Sequence, residues 1–179
     1  MTTIPRWITV IMLNLSMVFS FVSCSRGPQS NSSMKQYSNH YFSIRYPQDW
    51  KVSDQQNQLS FTGPEELGYY VNVKVDYNPE VDLPLKDFQQ TVESQNNLST
   101  LPQFKDMGLV DTSINDQPAI EHSILTAIMM ENIPLYLSVR LTYLVKDKLG
   151  VVITAEIPQD VLGKYDKQIT SMIQSIQLH

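Results

Sequence analysis

The chain has one cysteine among its 179 residues, three histidines and six glycines. A single thiol excludes an internal disulfide framework, and three scattered histidines leave no Cys/His spacing of the kind a structural zinc site uses. Neither a Gly-rich phosphate loop nor a Gly-x-Ser-x-Gly elbow occurs, so the sequence signatures of nucleotide binding and of α/β-hydrolase chemistry are missing. Basic residues are few, 13 Lys and Arg against 18 Asp and Glu, and at a net charge of −5 nucleic acid is not an expected partner. The N-terminal apolar stretch from Trp7 to Val22 covers about sixteen residues, short of the roughly 20 that span a bilayer comfortably.

That stretch follows one basic residue, Arg6, carries no charge, and ends at Phe21-Val22-Ser23-Cys24. A positive front end, a short apolar region and small residues at the cut form the anatomy of an export signal. The segment resembles a lipobox, with Phe21 at the position the motif usually gives to Leu. The resemblance implies that residues 1–23 are removed, that Cys24 becomes the acylated first residue, and that two or more acyl chains hold the protein stably on a bilayer. Removing the leader takes Arg6 off the 13 basic residues and leaves all 18 acids, so the charge moves from −5 to −6. No Lys-rich patch is present to read anionic headgroups, so attachment is expected through lipid alone. Residues 24–38, which include Ser25-Arg26-Gly27-Pro28-Gln29-Ser30, read as a flexible polar tether. Ser25 is not the Asp that retains lipoproteins on an inner membrane. The expected location is therefore the cell membrane or outer membrane, with the domain facing the periplasm or exterior.

Residues 39–179 are sized for one domain. Phe42, Ile44 and Tyr46 alternate with Ser43 and Arg45 in a half-buried strand that Pro47 ends, and Trp50 is expected to cover the core edge. Further strands are expected around Leu59 and Phe61 and from Tyr69 to Tyr77, where Val71, Val73 and Val75 share one face. Leu85, Phe88 and Val92 then recur at helical spacing, with Asp82 as the expected cap and Pro84 in the first turn. A short strand from Leu109 to Ile114, a turn over Asn115–Pro118, and strands over 120–129, 135–145 and 151–157 follow. Val161, Leu162, Tyr165, Ile169, Met172, Ile173 and Ile176 mark a closing amphipathic helix. This order predicts an α+β fold, a mostly antiparallel β-sheet flanked by helices.

The segment Tyr41-Phe42-Ser43-Ile44-Arg45-Tyr46-Pro47-Gln48-Asp49-Trp50 resembles the opening signature of PsbP-like domains, and the element order from Tyr41 to Leu178 agrees with that family. Together with the lipobox, the resemblance is to the bacterial lipoprotein branch, DcrB-like. It implies an α/β/α sandwich that binds other proteins and performs no chemistry of its own.

Candidate chemical groups are sparse. His122 shares its expected face with Ile120, Ile124 and Ile128, which is the setting of a satisfied core histidine more often than of a base. Asp76, Glu80 and Asp82 flank a strand end at a spacing that could hold Ca²⁺ in a loop, and His40 with Glu65 and Glu66 offers a weaker metal set. Both groups read more simply as solvated charge, so neither a metal nor a cofactor is expected. The candidate partner-binding residues are surface ones. They are Tyr69 and Tyr70, which open a strand, and Met129 and Met130, which form an apolar hairpin tip. Leu125, Ala127 and Met129 form a second apolar face that calls for a covering helix or a partner. Two function classes follow. One is a non-enzymatic envelope lipoprotein acting as a protein-binding or assembly module, with a bilayer and an envelope protein as partners. The alternative is a small-ligand or metal-binding lipoprotein with a pocket between sheet and helix.

Overall fold

The structure, a computed structural model, describes residues 33–179. Alternation of Val71, Val73 and Val75 with Asn72, Lys74 and Asp76 gives β5 (Tyr69–Asn78) one face with no solvent exposure and one that is half-buried. Alternating burial also marks β4 (Gln58–Glu66), β7 (Gln117–Met130) and β8 (Ile133–Lys146), β9 (Leu149–Pro158) is buried almost throughout, and β3 (Lys51–Gln55) and β6 (Lys105–Ile114) are exposed strands at the two edges. These strands form an antiparallel seven-stranded sheet in the order β3-β4-β5-β9-β8-β7-β6. A second sheet, β1-β2-β10, is made by Met34–Ser38, Phe42–Pro47 and Gln177–Leu178.

One face of the large sheet carries Leu59, Phe61, the three valines of β5, and Val151, Ile153 and Ile157 of β9. The small sheet and α2 (Leu162–Ile173) close over it, bringing in Phe42, Ile44, Tyr165, Ile169 and Met172. Trp50 completes this core at 4% exposure. Its ring lies over Gly63, where an added β-carbon would stand 2.7 Å from the indole. Pro64 sits beside it in a β4 irregularity between Thr62 and Glu65, where its missing N–H is tolerated. The opposite face carries a second core, with Ile120, Ile124, Leu137, Val139, Leu141, Tyr143 and Val152, and α1 (Leu85–Asn96) seats Phe88 there. The expected antiparallel α+β architecture with helices on both faces is thus the observed one.

Three tight connections join the long strands. Asn115–Asp116, Glu131–Asn132 and Asp147–Lys148 all have positive φ at both residues, the geometry whose twist matches two paired strands. Gln117 and Pro118, expected in a turn, therefore already pair with β6.

Several elements depart from the sequence expectation. Met34–Ser38 is a strand paired with β2, although these residues were expected to belong to the tether. Only Tyr37 of that strand is sheltered, packing on Phe42 at 6.2 Å and donating a 2.5 Å hydrogen bond to Asp54, so no apolar period announces it. Strand β3 is exposed along its length and equally silent. Strand β6 begins at Lys105, with a register irregularity between Asp106 and Gly108. Asp82 does not cap α1, because Pro84 occupies the N-cap position with no side-chain bond. The leader, Cys24 and the first part of the tether lie outside the described residues. Among the described residues no helix is long and apolar enough to cross a membrane.

Candidate functional site

Helix α1 covers the second face incompletely, because its twelve residues lie over strands of up to fourteen residues in a seven-stranded sheet. The uncovered floor becomes a trough along the β5 side of the helix. One section, about 810 Å³, has Val81, Phe88, Val92, Leu141 and Val152 as its apolar lining and Asp76, Glu80 and Asp82 as its acids. A second section, about 620 Å³, runs on beneath Leu98, Leu101 and Pro102 over Ile124, Leu137 and Val139. Both are bordered by Gln58, Asp76, Asn96, Leu141 and Thr154, which makes the trough continuous. Each section falls in the range of ligand pockets, roughly 300–1,000 Å³.

Charge in the larger section is of one sign, and the other section holds one cation, Lys74. Lys74 lies 3.4 Å from Glu156 and is neutralised by it. The Tyr69 hydroxyl also donates to Glu156 at 2.6 Å, and burial, with the carboxylate beside it, pushes that phenol well above its ordinary value. Asp76 accepts a 2.7 Å bond from Gln58. No Lys, Arg or His lines the larger section, and among the described residues no cation forms an ion pair with Glu80 or Asp82. These acids were assigned to a solvated turn in the sequence, and what sets them around a cavity is the β5–α1 loop lying against Gly150 of β9 while α1 packs on β7 and β8. No three His, Cys, Asp or Glu side chains among the described residues converge as metal ligands. Of the weaker set, His40 stacks edge-on with Tyr41, whereas Glu66 accepts hydrogen bonds from Lys164 and Tyr165.

Three of the four surface candidates, Tyr70, Met129 and Met130, lie at one end of the large sheet, where the β4–β5 and β7–β8 connections project. A β-carbon on Gly68, at the β4–β5 turn, would lie 3.1 Å from the Met130 methyl, so the β4–β5 and β7–β8 tips touch. Around this junction Leu67, Tyr70, Ile133 and Tyr136 are exposed, and Met129 is 64% exposed. Tyr69 turns the other way and walls the trough, while Tyr70 points outward beside Glu65. Ala127 of the second apolar strand face is buried, its N–H bonded to the Pro102 carbonyl at 2.9 Å.

His122 is buried at 6% exposure with both ring nitrogens occupied. Nδ1 lies 2.8 Å from Glu93 of α1 and Nε2 3.2 Å from Asp106 of β6. Glu93 also accepts a 3.0 Å bond from the Tyr143 hydroxyl, whose ionisation burial and the carboxylate push far up. The Gly108 N–H, with His122 second, holds Asp106 below the ordinary carboxylate value. With a carboxylate on each nitrogen, His122 is not free to activate a nucleophile, and the cluster fastens α1 to the edge of the sheet. Sequence periodicity placed His122 on the apolar face, but nothing local pointed to Glu93, 29 residues away in the chain.

No protein-family profile matches the sequence, and no curated protein matches it. Solved structures do. The cyanobacterial PsbP (CyanoP) of Synechocystis sp. PCC 6803 superposes with a TM-score of 0.59 at 11% identity, covering 86% of this chain and 96% of that one. PA94, a Pseudomonas aeruginosa protein of unknown function, gives 0.54 at 17% identity, covering 79% and 94%. LpqN of Mycobacterium tuberculosis, involved in cell envelope biogenesis, gives 0.55 at 9% identity, covering 82% and 91%. The fold is therefore PsbP-like, as the Tyr41–Trp50 segment implied.

Proposed function

We propose that this chain is a lipid-anchored bacterial envelope protein, non-enzymatic, that docks an envelope protein through the joined hairpin tips. The observation that carries the docking reading is the Gly68–Met130 contact, which sets the β4–β5 tip, with exposed Leu67 and Tyr70, against the β7–β8 tip, with exposed Met129 and Ile133. Such side chains gain free energy by leaving water, and methionine adapts its shape to a partner. The anchor reading rests on Arg6, the uncharged stretch to Val22 and Cys24. The likeness to LpqN, a protein of envelope biogenesis, supports an envelope setting. The test is membrane crosslinking of the full chain beside a Met129→Lys/Ile133→Lys variant. Loss of a specific crosslinked complex with unchanged unfolding supports the docking end, and an unchanged complex overturns it.

A second reading is favoured by the trough, a two-section cavity between sheet and helix that a pure docking scaffold does not require. Under it, the domain carries a small ligand. Saturable stabilisation by a ligand, weakened when Thr91→Trp fills the larger section, is its signature.

A further inference from the structure

We infer that the trough beside α1 binds a single-chain amphiphile with a cationic head, the head between Asp76, Glu80 and Asp82 and the chain along the section under Leu98 and Leu101. The inference rests on the small-ligand reading above and names the chemistry that reading leaves open. Its first support is the distribution of polarity along one cavity. The larger section is rich in carboxylates and amides, including Asn57, Gln58, Asn78 and Asn96, above an apolar floor. The continuing section has Leu98, Leu101, Ile124, Ile128, Leu137 and Val139 as its apolar walls, with the Lys74–Glu156 pair on its β5–β9 side. A ligand filling both must have a polar end and an apolar body, since leaving the second section to water forgoes the gain from apolar burial.

The sign of the head follows from the charges. Lys86 on α1 and Lys148 at the β8–β9 turn do not line the larger section, and Lys74, in the other, is tied to Glu156. An anionic head would face three carboxylates with no counter-charge, whereas an ammonium would meet them with its charge compensated. The carboxylates act at a water-exposed mouth, where the high dielectric keeps each contact weak. Preference for the cation over an equal-length anion is thus expected to be tenfold or somewhat more at low salt, about tenfold for each 1.4 kcal/mol, and to shrink as salt screens it.

The experiment titrates the full chain carrying Cys24→Ser, so that no acyl group of its own competes. Dodecyltrimethylammonium, dodecyl sulfate and an uncharged dodecyl maltoside are added below their micelle concentrations, with calorimetry and amide NMR shifts at Val92, Leu141 and Thr154 as readouts. Expected are saturable binding in the order cation, neutral, anion, shifts confined to the trough, and loss of the cation's advantage on Thr91→Trp, which fills the larger section. In an Asp76→Asn/Glu80→Gln/Asp82→Asn variant the cation should lose its advantage while the maltoside binds as before. Equal binding of all three probes in the trough would retain a ligand site and overturn the cationic head. No shift at those amides with any probe would overturn both the inference and the small-ligand reading, because the apolar section would then be closed to a chain.

Discussion

Gly150→Ala tests how tightly α1 is seated, and so whether the trough has a fixed wall. Gly150 lies in β9 directly beneath the loop and helix, and its φ is not in the left-handed region, so a β-carbon is acceptable to the backbone. Space is the obstacle. The new carbon would stand 2.6 Å from Val81 Cγ2 and 2.8 Å from Phe88 Cζ, far inside ordinary contact. Val81 cannot swing away freely because its N–H bonds to the Lys148 carbonyl at 2.8 Å, and Phe88 stands edge-on against Tyr143 at 6.5 Å. Overpacking of this kind costs roughly 1–3 kcal/mol. Replacing a strand glycine recovers roughly 0.5–1 kcal/mol of backbone entropy, which leaves a net loss of about 0–2.5 kcal/mol. With a urea slope of about 2 kcal/mol/M, the unfolding midpoint falls by up to about 1.2 M. Phe88→Leu removes the ring atoms that clash, so in the Gly150→Ala background it should cost less than in the parent, with a coupling of at least about 0.5 kcal/mol. A midpoint that rises, or costs that simply add, would refute the close seating of α1 on β9.

Other outcomes follow from the same geometry. Trp50→Ala should lower stability by roughly 3–5 kcal/mol in urea unfolding, since the indole is buried over Gly63, and a change within error would remove it from the core. Hydrogen bonds from Lys164, then Tyr165, hold Glu66 below its ordinary 4.5, so its contribution to stability is present above that value and lost as pH falls through the lower folded one. Lys164→Met should move the Glu66 carboxyl titration, followed by carbon NMR, back up toward 4.5, and an unmoved titration refutes the pairing. Intact mass and fractionation of wild type and Cys24→Ala should give an acylated membrane form and an unprocessed variant. A soluble, unacylated wild type would end the anchor reading.

Period-two runs such as Val71-Val73-Val75 and Leu135 through Val145, and the helical spacing of Phe88 and Ile169, determined element types, the antiparallel class and most of the first core. Burial requires those spacings wherever the partner surface lies, so the signal is local. Strands β1 and β3 left no such trace because they are exposed and held by backbone pairing to neighbours whose position the sequence does not state. The Asp82 cap failed for a related reason, since Pro84 begins the helix and the acid is left beside the trough. The candidate sites belong to the tertiary structure. His122 meets Glu93 and Asp106, and Met130 meets Gly68, only because separate elements cross one sheet face or end, whereas Asp76, Glu80 and Asp82 are neighbours in sequence that the fold sets against a cavity. The sequence by itself determined which residues leave water. Which distant charges and tips then share a site was decided by the packing of α1 and the hairpins, through contacts that no local spacing encodes.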